Sequence, residues 1–145
     1  DDFSDPNSGW LVLDDWYHKL EYLSGEFHVL TKAAGFSISF STSPPIYASN
    51  FTLEVDGRSD LGTYGLVFGK RFEESVWESY SFEIGPGDCW AIYRLDGGWS
   101  VLAPGKSSYI TSGMNHLKVV RQGSQIEAYV NGQLLSTVAD SSSLG

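Results

Sequence analysis

LKVVRQGSQIEAYVNGQLLSTVAD, residues Leu117 to Asp140, decides the fold class of this chain. Val119, Ile126, Ala128 and Val130 stand at near-alternate positions among polar neighbours, the period of strands with one buried face. Gln122-Gly123-Ser124 interrupts the run once, and Asn131-Gly132 interrupts it again. Asn-Gly suits a two-residue type I′ hairpin because both residues accept positive φ. The stretch therefore reads as two to three short antiparallel strands, the architecture of a β-sandwich.

Outward from it, turn residues punctuate the chain at intervals of roughly 8 to 15 residues, as an all-β sandwich requires. Glu26 to Leu30 and Gly35 to Phe40 read as a hairpin pair around Lys32-Ala33-Ala34, and Ser43-Pro44-Pro45 reads as a stiff connector. Phe51-Thr52-Leu53-Glu54-Val55-Asp56 alternates, with Phe51, Leu53 and Val55 facing a core. Tyr64 to Phe68 and Tyr80 to Ile84 repeat that pattern. Trp90 to Leu95 follows, then a Gly97-Gly98 turn and Trp99 to Leu102. No segment holds apolar residues at helical spacing for long. The best candidate, Trp16 to Leu23, reads equally as a helical turn or as strand plus loop. With no repeat and no linker, residues 1–145 read as one β-sandwich domain.

A net charge of −9 makes nucleic acid and anionic membrane poor partners. No apolar run approaches the roughly 18 residues that cross a bilayer, so membrane insertion is not expected. Cys89 is the only cysteine, which rules out an intrachain disulfide. The chain starts at Asp1-Asp2-Phe3 without Met or an apolar leader, as a mature secreted protein or an excised domain would.

Several pieces, in their order along the chain, resemble the concanavalin A-like lectin/glucanase superfamily. They are Asp2-Phe3-Ser4-Asp5-Pro6-Asn7-Ser8-Gly9-Trp10, Phe51 to Asp56, Tyr64 to Phe68, Tyr80 to Ile84 and the Leu117–Asp140 hairpins. Within it the chain is similar to the domain family containing 3-keto-disaccharide hydrolases and to levan-binding carbohydrate modules. The resemblance implies an all-β, antiparallel β-sandwich of jelly-roll type in a bacterial protein, secreted or at the cell surface, with a glycan as partner. It also implies a structural calcium ion near the chain termini, for which Asp2, Asp5 and Asp140 are the candidate oxygen donors. Turn chemistry ahead of Pro6 is the competing role of Asp5. A further strand after Ser141 to Gly145 is usual in the superfamily. Without it, either the chain is trimmed or a sheet edge is open for self-association by strand addition.

Catalysis finds little support. Laminarinase-type glycosidases on this fold carry Glu-x-Asp-x-Glu on one strand, whereas Glu54-Val55-Asp56 is followed by Gly57 and Arg58. There is no Gly-x-Ser-x-Gly elbow, and His18, His28 and His116 lack metal-ligand spacing. Aromatic side chains beside charged groups are the better signal, because a sugar presents C–H faces and hydroxyl edges. If Ala91, Tyr93 and Leu95 face the core, then Trp90, Arg94 and Asp96 point outward together, with Trp99 just across the turn. By the same alternation Glu83 and Glu54 face outward, and Trp77 sits in a loop-like acidic run that can cap the face. The expectation is a non-catalytic carbohydrate-binding domain using Trp90, Arg94, Trp99, Glu83, Glu54, Asp96 and Trp77. A structural subunit of a surface filament, joined through open edges, is the second reading. A glycoside-modifying hydrolase acting through Glu83 or Glu54 is the third.

Overall fold

A computed structural model describes residues 1–32, 48–73 and 76–141, and the side chains of all of these except 71–73, 76 and 77. The expected strand Gly35 to Phe40 and the connector Ser43-Pro44-Pro45 lie outside the described residues. The chain forms two compact units, Asp1–Ile46 and Tyr47–Gly145.

The first unit carries a three-stranded antiparallel sheet in the order β1 (Leu13–Asp14), β2 (His18–Leu23), β3 (Glu26–Thr31). Trp16 to Leu23 thus resolves as a strand from His18 onward. The Asp15 carboxylate accepts the Tyr17 and His18 amides at 2.7 and 2.6 Å and turns the chain into β2. Glu26 to Thr31 pairs backwards with β2 through Ser24-Gly25, whose φ values of 56° and 76° are those of a two-residue hairpin turn. Phe3, Trp10, Tyr22 and Phe27 cluster with ring centroids 5.1 to 6.4 Å apart. The Tyr22 hydroxyl ties Ser8 and the Trp10 amide to that cluster.

The second unit is a sandwich of two four-stranded antiparallel sheets. One runs β11 (Gln133–Ala139), β10 (Gln125–Val130), β9 (Asn115–Gln122), β4 (Phe51–Gly57). The other runs β5 (Tyr64–Glu73), β6 (Val76–Gly85), β7 (Cys89–Asp96), β8 (Trp99–Lys106). Leu117, Val119, Ile126, Ala128 and Val130 from one sheet meet Leu66, Phe68, Tyr80, Phe82, Ile84 and Ile92 from the other in a single buried core. Phe51, Leu53 and Val55 pack against it as the alternation of β4 requires. Asn131 and Gly132 sit at φ 49° and 79°, the type I′ signature expected of the Asn-Gly turn.

Two sequence readings need correction. Phe72-Glu73 and Val76 to Glu78 are strand rather than loop: β5 and β6 pair Phe72 with Trp77 and Glu73 with Val76, and residues 74 and 75 lie outside the described residues. A bulge between Phe68 and Arg71, containing Gly69 at φ 60°, breaks the register and hides the strand from a period-2 reading. The second correction concerns β7. Ile92 is fully buried in the core and Trp90 packs against it, so the Trp90, Ile92, Arg94 face points inward and Tyr93 and Leu95 point out.

Candidate functional site

Three loops that are distant in sequence converge at one end of the sandwich. They are residues 58–63 between β4 and β5, Pro86–Asp88 between β6 and β7, and 107–114 between β8 and β9. They line an open-sided cavity of about 410 Å³ that includes Asp60, Leu61, Tyr64, Pro86, Asp88 and Thr111. Pro86 opens a single 3₁₀ turn, and both Gly87 and Asp88 take positive φ, which swings the Asp88 carboxylate to the cavity margin. Asp60 and Asp88 are exposed, and neither carboxylate has a hydrogen bond or ion pair to another described residue; the Asp88 carbonyl accepts the Ser107 amide at 2.9 Å. Leu61, 92% exposed, stands over the same opening.

Asn115 holds the cavity wall. Its side chain is 1% exposed, and its amide donates to the Tyr64 hydroxyl at 2.9 Å and to the carbonyls of Thr111 and Gly113 at 2.9 and 3.1 Å. Its oxygen accepts from the Thr111 amide at 2.8 Å and from the Asn131 side chain at 3.0 Å. Asn131 in turn donates to the Tyr109 carbonyl and accepts the His116 amide. A loop that would otherwise be free is thereby tied to β5, β9 and the β10–β11 turn.

The outward faces carry different chemistry. On β4, β9 and β10, His116 Nδ1 lies 2.8 Å from Asp56 Oδ1, and Nε2 lies 3.9 Å from Glu54 Oε2. Lys118 Nζ sits 3.2 Å from Glu54 Oε1 and 5.6 Å from the centre of the Tyr129 ring. Tyr129 donates to Glu127 Oε2 at 2.5 Å, and this hydrogen bond holds the phenol above its ordinary pKa. On the other sheet, Glu83 accepts from Ser81 Oγ at 2.7 Å, and Trp99 meets Tyr93 edge-on at 6.0 Å.

The expected site residues therefore divide. Glu83 and Trp99 do share the outward face of β5–β8. Glu54 faces outward on the opposite sheet, beside His116 and Lys118. Trp90 and Arg94 lie on the core face, contrary to expectation. Arg94 Nη2 donates to Asp96 Oδ2 at 2.5 Å and Nη1 to Asp140 Oδ2 at 3.4 Å; Asp96 stays exposed, whereas Asp140 is mostly buried. Trp77 belongs to β6, with its side chain outside the description.

Asp2 accepts from the Ser4 hydroxyl and amide, which lowers its carboxyl pKa, and Asp5 accepts the Asn7 amide at 2.8 Å. Both are local turn bonds. Asp140 serves Arg94. Among the described residues no three His, Cys, Asp or Glu side chains gather as a cation site.

Sequence reasoning missed Asp60, Asp88, Asn115 and the His116–Lys118–Tyr129 row. The row was within reach, because each member alternates with Leu117, Val119 or Ala128. The loop residues carry no period.

Two antiparallel sheets packed over one core define the class: an all-β sandwich. Among solved structures the chain is similar to the carbohydrate-binding module CBM66 from Bacillus subtilis, with a TM-score of 0.55 and 19% identity over 93% of this chain and 77% of that one. At that identity the likeness establishes the fold. No protein-family model matches the chain, and no curated protein matches it. No helix among the described residues is long and apolar enough to cross a membrane.

Proposed function

We propose that this chain is an extracellular, non-catalytic carbohydrate-binding domain that receives one sugar unit in the loop-end cavity. The cavity carries the reading. Its volume of about 410 Å³ falls in the range typical of small-ligand sites. Its two unpartnered carboxylates, Asp60 and Asp88, are strong acceptors for sugar hydroxyls. The Tyr64 ring, Leu61 and Pro86 supply apolar wall for C–H faces. Likeness of fold to a carbohydrate-binding module supports the same reading. Binding rather than hydrolysis is favoured because a general-acid carboxyl is shielded from water, whereas Asp60 and Asp88 are exposed. On the sheet face, Glu54 and Asp56 are each occupied by a base.

Affinity for a bound glycan, measured by titration calorimetry on Asp60→Asn and Asp88→Asn, tests the site. A hydrogen bond to a charged group is worth about 1.5–3 kcal/mol, so each change should weaken binding roughly 10- to 100-fold. The melting temperature should hold, since neither carboxylate has a partner among the described residues. Unchanged affinity in both variants would move the site elsewhere, and glycan cleavage by the native chain would end the non-catalytic reading.

Edge strand β11 favours a second reading, assembly by strand addition. Gln133–Ala139 contains no charged residue or proline and leaves Leu134 53% exposed, so it lacks the usual edge protection. A monomer in light scattering at high concentration would remove it.

A further inference from the structure

The hydrogen-bonding polarity of the loop-end cavity is one-sided. Its side-chain hydroxyls belong to Ser59, Tyr64, Thr111 and Ser112. Three of them already give their proton to the backbone. Ser59 donates to the Leu61 carbonyl at 2.7 Å, Tyr64 to the Gly57 carbonyl at 3.1 Å and Thr111 to the Met114 carbonyl at 3.2 Å. A hydroxyl has one proton to give, so these three present only lone pairs to a ligand. Asp60 and Asp88 add two carboxylates, which accept and do not donate. Among the described side chains that line the cavity, the Ser112 hydroxyl alone is an uncommitted donor.

Charge runs the same way. No Lys, Arg or His is among the described residues that line the cavity. Arg58 opens the loop after β4 and Lys106 closes β8, yet neither forms an ion pair with Asp60 or Asp88. Two carboxylates without a counter-charge give the cavity a negative potential, and the net charge of −9 adds to it. A uronic or sulfated sugar would bring acceptors to acceptors and like charge to like charge. An ammonium group is the opposite case, with three donors, no acceptor and a positive charge.

We propose, resting on the glycan-cavity reading above, that this site selects its sugar by charge. It takes an amino sugar whose protonated amine meets Asp60 and Asp88, holds the uncharged sugar less tightly and excludes the anionic one.

Three probes that share one ring test this: methyl glucosaminide, methyl glucoside and methyl glucuronide. Each is titrated into the full chain at a pH of about 6, where amine and carboxylates are both ionised. The amide resonances of Gly62, Gly87 and Gly113, all in the cavity lining, report binding there. The glucosaminide should bind at least about 5-fold more tightly than the glucoside, as one solvent-screened ion pair at 4 Å gives. That advantage should shrink as salt approaches 1 M, where the Debye length falls to about 3 Å. The glucuronide should bind most weakly, and Asp88→Asn should bring the ratio of glucosaminide to glucoside affinity towards one. Equal affinities for glucosaminide and glucoside, or a glucuronide bound as tightly as the glucoside, would overturn the charge selectivity and leave the cavity reading in place. Failure of all three to move these resonances overturns the amino-sugar assignment. The cavity reading then stands or falls on the Asp60→Asn and Asp88→Asn affinities for a glycan that does bind.

Discussion

Replacing Asn115 by alanine should cost the second unit more than any comparable surface change. Five hydrogen bonds meet on this one buried amide, binding Tyr64, Thr111, Gly113 and Asn131. Each buried group left unpaired costs about 1–3 kcal/mol, but Thr111, Gly113 and Asn131 are exposed enough to recover water. Discounting those partners leaves the Tyr64 bond and a loss of about 1–3 kcal/mol, or roughly 4–24 °C in melting temperature for a unit of this size. Urea unfolding followed by near-UV circular dichroism reads the value. Asn115→Asp separates the causes, because it keeps both acceptor bonds and removes the three donor bonds. A loss below about 1 kcal/mol for Asn115→Ala would refute the claim that this network builds the cavity wall.

Two further outcomes follow from titrating groups. Asp14 is held below the ordinary carboxylate range by hydrogen bonding to Lys32, and Asp15 by the His18 and Tyr17 amides. Both favour the folded state above the unfolded carboxyl pKa of about 3.9, and that contribution disappears as pH falls through the depressed folded values. The first unit should therefore loosen below about pH 4, read by tryptophan fluorescence, and Asp15→Asn should flatten the acid limb. At the alkaline end the sign reverses. Tyr129 is raised by Glu127, so its stabilisation is present below pH about 10 and is lost as pH rises through the folded value. Glu127→Gln should bring one phenol to lower pH in a 295 nm titration, and an unchanged curve would contradict the bond.

How far the sequence could be read depends on where each signal lives. The β9–β11 hairpins were legible because Gly123, Asn131 and Gly132 state their turns locally. Strand β7 was ambiguous for a physical reason: WAIYRL puts apolar residues on both faces, Trp90 and Ile92 on one and Ala91, Tyr93 and Leu95 on the other. The tie is broken only across strands, where Ile92 pairs with Phe82 and Trp90 with Ile84, both fully buried. Pairing register is a tertiary fact, and without it Arg94 was assigned to the outward face. The outward direction of Glu83 and of Glu54 was legible because their neighbours are apolar on one face alone, but that the two lie on different sheets was not. The cavity was illegible because Asp60, Asp88 and Thr111 come from three loops and meet only when both sheets have formed.

The most direct test of the account is a glycan-array screen of the full chain, run with calcium and with chelator, beside the Asp60→Asn/Asp88→Asn double variant. The account predicts a discrete set of hits for the native chain that the double variant loses. A blank array from demonstrably folded protein would contradict it.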